Sequence, residues 1–462
     1  MRKPPRLEST EPESSEWLNV LVLAIAWGAA LFFLVRPDPQ MREETDEFVF
    51  ERVAEGSIMQ LLVADEYPER VLEWAEVDKE HLREDLVEVY KESLLREVFP
   101  ETSFPSWALL FHLLGEEKLS EDALNRVSEG SLVEERQAQV VEAIRSGAEA
   151  DDALTEWTWE RYTSPNGGVP EWFWIAFREN YEESADWLEG KGRNMLNRGL
   201  AATFLYSFIG LLSLLALIWF LLRRTAVPRP GREFRLIRRW RSAVVLKEFF
   251  LAELLGVVAA MVIANIFYLI GWIEAGLLAA GVSVMVLPVA WLVVRLTPGI
   301  RPSLRLVGLR AHSWPRRKLI AFGFAGLSLM MGGAFLIDRI TSPVDLLRDG
   351  IDPYELDSNF YVGWGFLYAV VFAAICEEIV FRGFLFRGLR NRFPAVVAAC
   401  LSSGIFAVVH FYSVIGLLVV FAYGLIFCWL YERSRSLLPG MIAHAVFNFC
   451  ATSHVVGWFS LH

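Results

Sequence analysis

The sequence predicts an all-α protein: a polytopic transmembrane helical bundle of about nine spans, carrying an inserted helical domain outside the membrane. Two observations predict it. Of 462 residues, 54% are hydrophobic, with 17 Trp and 33 Phe, which is too apolar for an ordinary soluble enzyme. Charge is also placed unevenly, because residues 37–198 hold 39 of the 56 acidic residues and 16 of the 44 basic ones. That segment is net −23 and the remainder +11, the asymmetry of a solvated acidic domain attached to a membrane body.

The organisation follows in chain order. Residues 1–36 comprise a tail with Arg2, Lys3 and Arg6 and an apolar run, Trp17–Val35, long enough to cross a bilayer. A signal peptide is the rival reading of this run. An uncleaved anchor is favoured, because the run ends in Arg36-Pro37-Asp38-Pro39 without a small-residue cleavage site. Residues 37–198 form the acidic, mainly helical domain. Val71–Val98 reads there as one amphipathic helix, and further helical stretches fall near Trp107–Leu114, Leu132–Ile144 and Trp172–Leu188, with a breaker at Ser164–Gly168. Its Glu-rich surface reads as a solvated face that could recruit an extracytoplasmic protein partner.

Eight further apolar runs follow, near 200–222, 246–271, 274–296, 318–337, 361–385, 395–412, 413–431 and 437–459. Residues 199–317 hold spans two to four, and residues 318–462 hold the rest. Lys and Arg are retained on the cytoplasmic side of membranes, so the short loops fix orientation. Arg223, Arg224, Arg229, Arg232, Arg235, Arg238, Arg239, Arg241 and Lys247 crowd one loop; Arg301, Arg305, Arg310, Arg316, Arg317 and Lys318 crowd another. Both are expected in the cytoplasm, as is the N-terminus, with residues 37–198 on the opposite side of a plasma membrane. Such runs of Arg are what topology demands beside a membrane, with added contact to anionic lipid, and they do not argue for a nucleic-acid partner. Cys376, Cys400, Cys428 and Cys450 all lie in apolar stretches and show no disulfide or zinc spacing.

Ionisable groups in hydrocarbon are costly, so those that persist are candidates for chemistry. Cys376-Glu377-Glu378-Ile379-Val380-Phe381-Arg382 sits inside an apolar run. Glu378 and Arg382 are four apart and can pair across one helical turn. Glu377 points about 100° away and lacks a local partner. Phe406-Ala407-Val408-Val409-His410 places a histidine on the next run, and the midpoint between Glu377 and His410 falls at Phe393 and Pro394. A turn is expected there, since Pro is favoured at a helix start, so an antiparallel hairpin sets Glu377 beside His410. A carboxylate next to an imidazole can hold and deprotonate a water. His444 and Asn448 are again four apart on one face of the last run, and both can donate to an oxyanion. Polar glue between membrane helices is the bland alternative for any one of these groups.

Taken together, Glu-Glu-x-x-x-Arg, Phe-x-x-x-His and His-x-x-x-Asn on successive membrane helices resemble the CPBP intramembrane proteases, which include the CAAX prenyl proteases of the Ras-converting type and bacterial relatives linked to peptide processing or bacteriocin immunity. The resemblance covers roughly residues 318–459. It implies an endopeptidase acting on a membrane-associated peptide or protein, with Glu377 as general base, His410 helping to bind water, and His444 and Asn448 as the oxyanion hole. Glu378, Arg382 and Phe406 would be supporting residues. The family is usually called metallo-; no His-Glu-x-x-His occurs, but Glu377, His410 and His444 could ligate a zinc ion. A non-catalytic binding or immunity protein, and a proton-coupled transporter, are the competing readings of the same polar cluster.

Overall fold

The computed structural model describes residues 14–35, 50–51, 53–54, 56–58, 60–75, 77–96, 99–127, 132–146, 182–222, 241–297, 308–309, 314–338, 366–410 and 414–459. Among these every regular element is helical and none is a strand. The chain divides into two compact units. One comprises Met1–Arg36, Ile209–Arg339 and Trp364–Phe449; the other comprises Pro37–Phe208, Ile340–Gly363 and Cys450–His462.

The second unit is built around α4. The run expected as a single helix over Val71–Val98 is instead two, α2 (Glu69–Trp74) and α3 (Lys79–Leu95). Asp78 divides them, because its carboxylate accepts from the Glu80 and His81 backbone N–H groups and caps α3. Then come α4 (Phe104–Leu114), α5 (Glu117–Asn125) and α6 (Leu132–Ser146). With 11 residues α4 is too short to span a bilayer, and almost every side chain on it is buried. Trp107 is fully buried, stacks on Tyr90 at 5.9 Å and donates its indole N–H to the Phe50 carbonyl at 3.1 Å. Phe104, Phe111, Leu86, Val89, Val140 and Val141 close the core around it. A long helix, α7 (Glu182–Leu222), follows. Its Arg193 grips Glu66 through two hydrogen bonds of 2.6 and 2.8 Å, which tie its first half to this unit. The Ser164–Gly168 breaker, the start of the Trp172–Leu188 stretch and the basic segment 223–240 lie outside the described residues.

The first unit holds α1 (Ser14–Val35), α8 (Ser242–Leu269), α9 (Ile273–Leu296) and α10 (Arg316–Asp338). An irregular helix over 368–389, here α11, follows, then α12 (Ala395–Val408), α13 (Val414–Ser434) and α14 (Leu438–Phe459). Helices α8 and α9 form a hairpin, and α1 lays Trp27 against Phe250 at 5.3 Å. The α8–α9 pair is locked by Glu248, which accepts from the Trp291 indole at 3.0 Å and from the Arg295 guanidinium.

Five helices among the described residues are long and apolar enough to cross a membrane: Gly190–Leu222, Ser242–Leu269, Leu278–Leu296, Arg316–Leu336 and Val414–Ser434. The expected count of nine is therefore not reached. Of the remaining expected spans, α12 is only 14 residues long, and α11 is interrupted by wide, π-type turns over Tyr368–Ala373 and Glu378–Phe386.

Buried Tyr90 supplies a check on the second unit. Burial, and then the charge of Asp122 together with the hydrogen bond Tyr90 donates to it at 3.2 Å, raise the phenol above its ordinary value of 10.0. A raised acid favours its neutral form in the folded state, so this stabilisation is complete below about pH 10 and is lost as pH climbs beyond it. Tyr90→Phe is expected to flatten the alkaline loss of stability; denaturant unfolding at pH 8 and pH 11, followed by Trp fluorescence, is the measurement.

Candidate active site

Three helices and one aromatic side chain build the site. Helix α11 turns at Arg390–Phe393, Pro394 stands at the head of α12, and Arg390 donates to the Phe393 carbonyl at 2.9 Å to tighten the corner. The same arginine reaches Glu432 near the end of α13 at 3.2 Å. The α13–α14 corner is tied by Ser434, whose hydroxyl donates to the Leu430 carbonyl at 2.7 Å and accepts from the Ser436 N–H at 3.1 Å. Both corners thus lie at one end of the unit. Ser242 at the start of α8 donates to the Gly388 carbonyl at 3.0 Å, and the Arg392 guanidinium covers Trp17, so the starts of α8 and α1 share that end.

Inside the bundle, Glu378 and Arg382 are both fully buried, and Oε1 and Nη1 stand 2.9 Å apart. Four residues of spacing put them on one face, as an i,i+4 pair requires. The guanidinium is sandwiched by Phe406 of α12 at 4.2 Å and Phe427 of α13 at 4.7 Å. Cation–π contacts of this kind replace part of the water that the charge has lost. Ser402 donates to the Phe381 carbonyl at 3.1 Å and fixes α12 on α11. Gly440 of α14 lies against the pair so closely that a Cβ there would meet Glu378 Oε2 at 2.6 Å.

His444 faces both glutamates. Its Nε2 is 3.8 Å from Glu377 Oε2 and its Nδ1 is 3.7 Å from Glu378 Oε1, separations at which each nitrogen meets a carboxylate without closing a direct hydrogen bond. The ring stacks on Phe427 at 4.9 Å with planes 22° apart, which leaves it little freedom to rotate. His410 accepts its position from Phe406: Nδ1 lies 2.7 Å from the Phe406 carbonyl and the two rings are 4.7 Å apart. A carbonyl can only accept, so Nδ1 carries the proton and Nε2 keeps its lone pair. Glu377 and His444 are among the charged groups that act on His410, which places the three in one electrostatic neighbourhood.

Asn448 lies one turn along α14 from His444, and its amide donates to the Ala369 carbonyl at 2.8 Å. Ala369 belongs to the first wide stretch of α11, where the turn presents a carbonyl sideways. One amide hydrogen is held there and the other remains available to an acceptor. Among the described residues no group of three His, Cys, Asp or Glu side chains is gathered closely enough to hold a metal ion.

Phe427 and the Ala369 carbonyl are parts of the site that sequence reasoning missed. Neither carries a signal: one is a phenylalanine among 33, and the other is a backbone atom exposed by helix geometry. Tyr412 is outside the described residues, and His81 and His112 of the second unit pair with Asp78 and Glu117.

The buried ion pair yields a test. Removing one partner strands the other charge, at about 3–5 kcal/mol, whereas replacing both by apolar or neutral groups of similar size is often neutral. Arg382→Ala is expected to lower the melting temperature sharply in detergent, and Glu378→Gln with Arg382→Met to recover most of the loss. A double variant no better than Arg382→Ala alone would contradict the pairing.

Against known proteins, residues 359–450 match the family model described as Type II CAAX prenyl endopeptidase Rce1-like. No curated protein and no solved structure gives a significant match.

Proposed function

The C-terminal region of this chain is a CPBP-type domain of the CAAX-protease kind, and from that premise we propose that the protein is an intramembrane endopeptidase that hydrolyses a peptide bond of a membrane-associated peptide or protein. The observation that carries the reading is the convergence of Glu377, His410 and His444 from three helices in an apolar surround.

A water held between Glu377 and Nε2 of His410 has both hydrogens engaged by acceptors. Glu377 takes one proton as the oxygen attacks the carbonyl carbon of the scissile bond. Charge then builds on the carbonyl oxygen. Its proposed donors are the His444 ring and the second amide hydrogen of Asn448, His444 held in place by Phe427 and Asn448 by Ala369. The proton on Glu377 passes to the leaving amine as the C–N bond breaks. Glu378 and Arg382 touch no reacting atom; they hold α11 and face His444.

The basic end of the bundle, with Arg390, Arg392 and Arg435, is proposed to face the cytoplasm by the positive-inside rule, so the site opens toward that side. Residues 37–198 then stand outside, where their acidic surface is free to recruit a protein partner. Substrates are proposed to be cut near the membrane surface, and a farnesylated carboxyl-terminal peptide is the first probe suggested by the family.

Purified full-length protein in lipid nanodiscs, assayed with quenched farnesylated and unmodified peptides alongside a comparison of cell membrane peptidomes, tests the proposal. Glu377→Gln and His410→Ala are each expected to reduce cleavage by about 10²–10⁴-fold while elution and melting temperature hold. Peptidomes indistinguishable between wild type and both variants would leave a binding protein in place of an enzyme.

A further inference from the structure

Helix α8 precedes the matched segment 359–450 and brings a further carboxylate to the site. Three contacts set its register against α11. Ser242 donates to the Gly388 carbonyl at 3.0 Å. Gly388 approaches Val245 so closely that a Cβ on it would meet Val245 Cγ1 at 2.5 Å. Phe249 meets Phe381 edge to face at 5.6 Å. Residue numbers rise along α8 as they fall along α11, so the helices run antiparallel. Four residues beyond Phe249 and four before Phe381, the next facing pair is Glu253 and Glu377. Ser242, Val245, Phe249 and Glu253 are spaced by three, four and four and share one face of α8. Glu377 is also the charged group that acts on Glu253.

Two carboxylates opposed in hydrocarbon repel and are each costly to desolvate, so such a pair holds one proton between them. Glu377 has the His444 imidazole 3.8 Å from Oε2, and that oxygen is buried without a hydrogen-bond partner. Tyr368 and Cys376 of α11 and His410, just beyond α12, are further titratable groups around Glu377.

We propose that Glu253 is a positioning residue for the general base, its protonated carboxyl donating a hydrogen bond to Glu377 and turning that carboxylate toward the water it activates. The added helices before the protease core are then part of the active site and not only an anchor. This rests on Glu377 acting as the base, as proposed above.

The test has two arms on the full-length chain. In a background with Cys376, Cys400, Cys428 and Cys450 replaced by Ala and a protease site engineered within residues 298–307, a short dimaleimide is expected to join the fragments of Glu253→Cys/Glu377→Cys as well as those of a Phe249→Cys/Phe381→Cys control. Joining of the control alone overturns the inference. In the peptide assay, Glu253→Met, which keeps the bulk and removes the donor, is expected to lower kcat by about 10-fold or more with KM within about two-fold. Glu253→Gln, whose amide can still donate, is expected to retain at least about a third of wild-type kcat. Equal loss in both variants, or in neither, overturns the donor role. Undiminished cleavage by Glu377→Gln would instead sink the endopeptidase reading, whatever the cross-link shows.

Discussion

The burial of Glu378 and Arg382 against each other is the constraint on which the first unit depends. Two full charges have left water completely, and an ion pair alone does not repay that desolvation. The rest of the local structure is arranged to help: two phenylalanine faces flank the guanidinium, the Gly424 carbonyl lies 3.5 Å from Nη2, and α14 presents Gly440 where a side chain would collide with the carboxylate. Four helices thus meet at one pair. Because Glu378 also faces His444, the interaction that holds the bundle together is the one that meets the His444 imidazole.

A second consequence is the division of labour between adjacent glutamates. Successive residues on a helix point to different sides, so Glu378 enters the core while its neighbour Glu377 faces the space between α11, α14 and α8. One is neutralised by a cation and serves the fold. The other has no Lys or Arg partner among the described residues, which is what the proposed role in proton transfer requires. Such a pair of identical residues with different partners is how a single turn of helix supplies both structure and chemistry.

Much of this was legible in the residues. The Glu378–Arg382 spacing announces an i,i+4 contact, and Pro394 marks the hairpin corner, because both are local rules acting within a few residues. Hydropathy announced membrane helices for the same reason. It marked nine runs, of which five are long apolar helices among the described residues, because it sees apolar composition and not helix continuity: α12 is apolar but short, and α11 breaks into wide turns. The helix expected over Val71–Val98 splits at Asp78, where a capping side chain outweighs amphipathic periodicity. Phe427 and Glu253 stayed hidden because their significance comes only from which helix packs on which. Glu253 lies more than a hundred residues before Glu377, and no spacing within α8 sets it apart from Glu248, which pairs with Arg295.

The wide turns of α11 bear on where chemistry takes place. A π-type turn fits an extra residue into each loop of backbone, so a given number of residues advances less along the helix axis than in an ordinary α-helix. The stretch Glu378–Phe386 separates Glu377 from the corner at Arg390. Counting residues at the α-helical rise therefore exaggerates how far Glu377 lies from the basic end. If Glu377 is the general base proposed above, so shallow a carboxylate would need only a short file of water to be resupplied after each turnover, and a substrate chain would not have to unwind to the middle of the bilayer to present its bond.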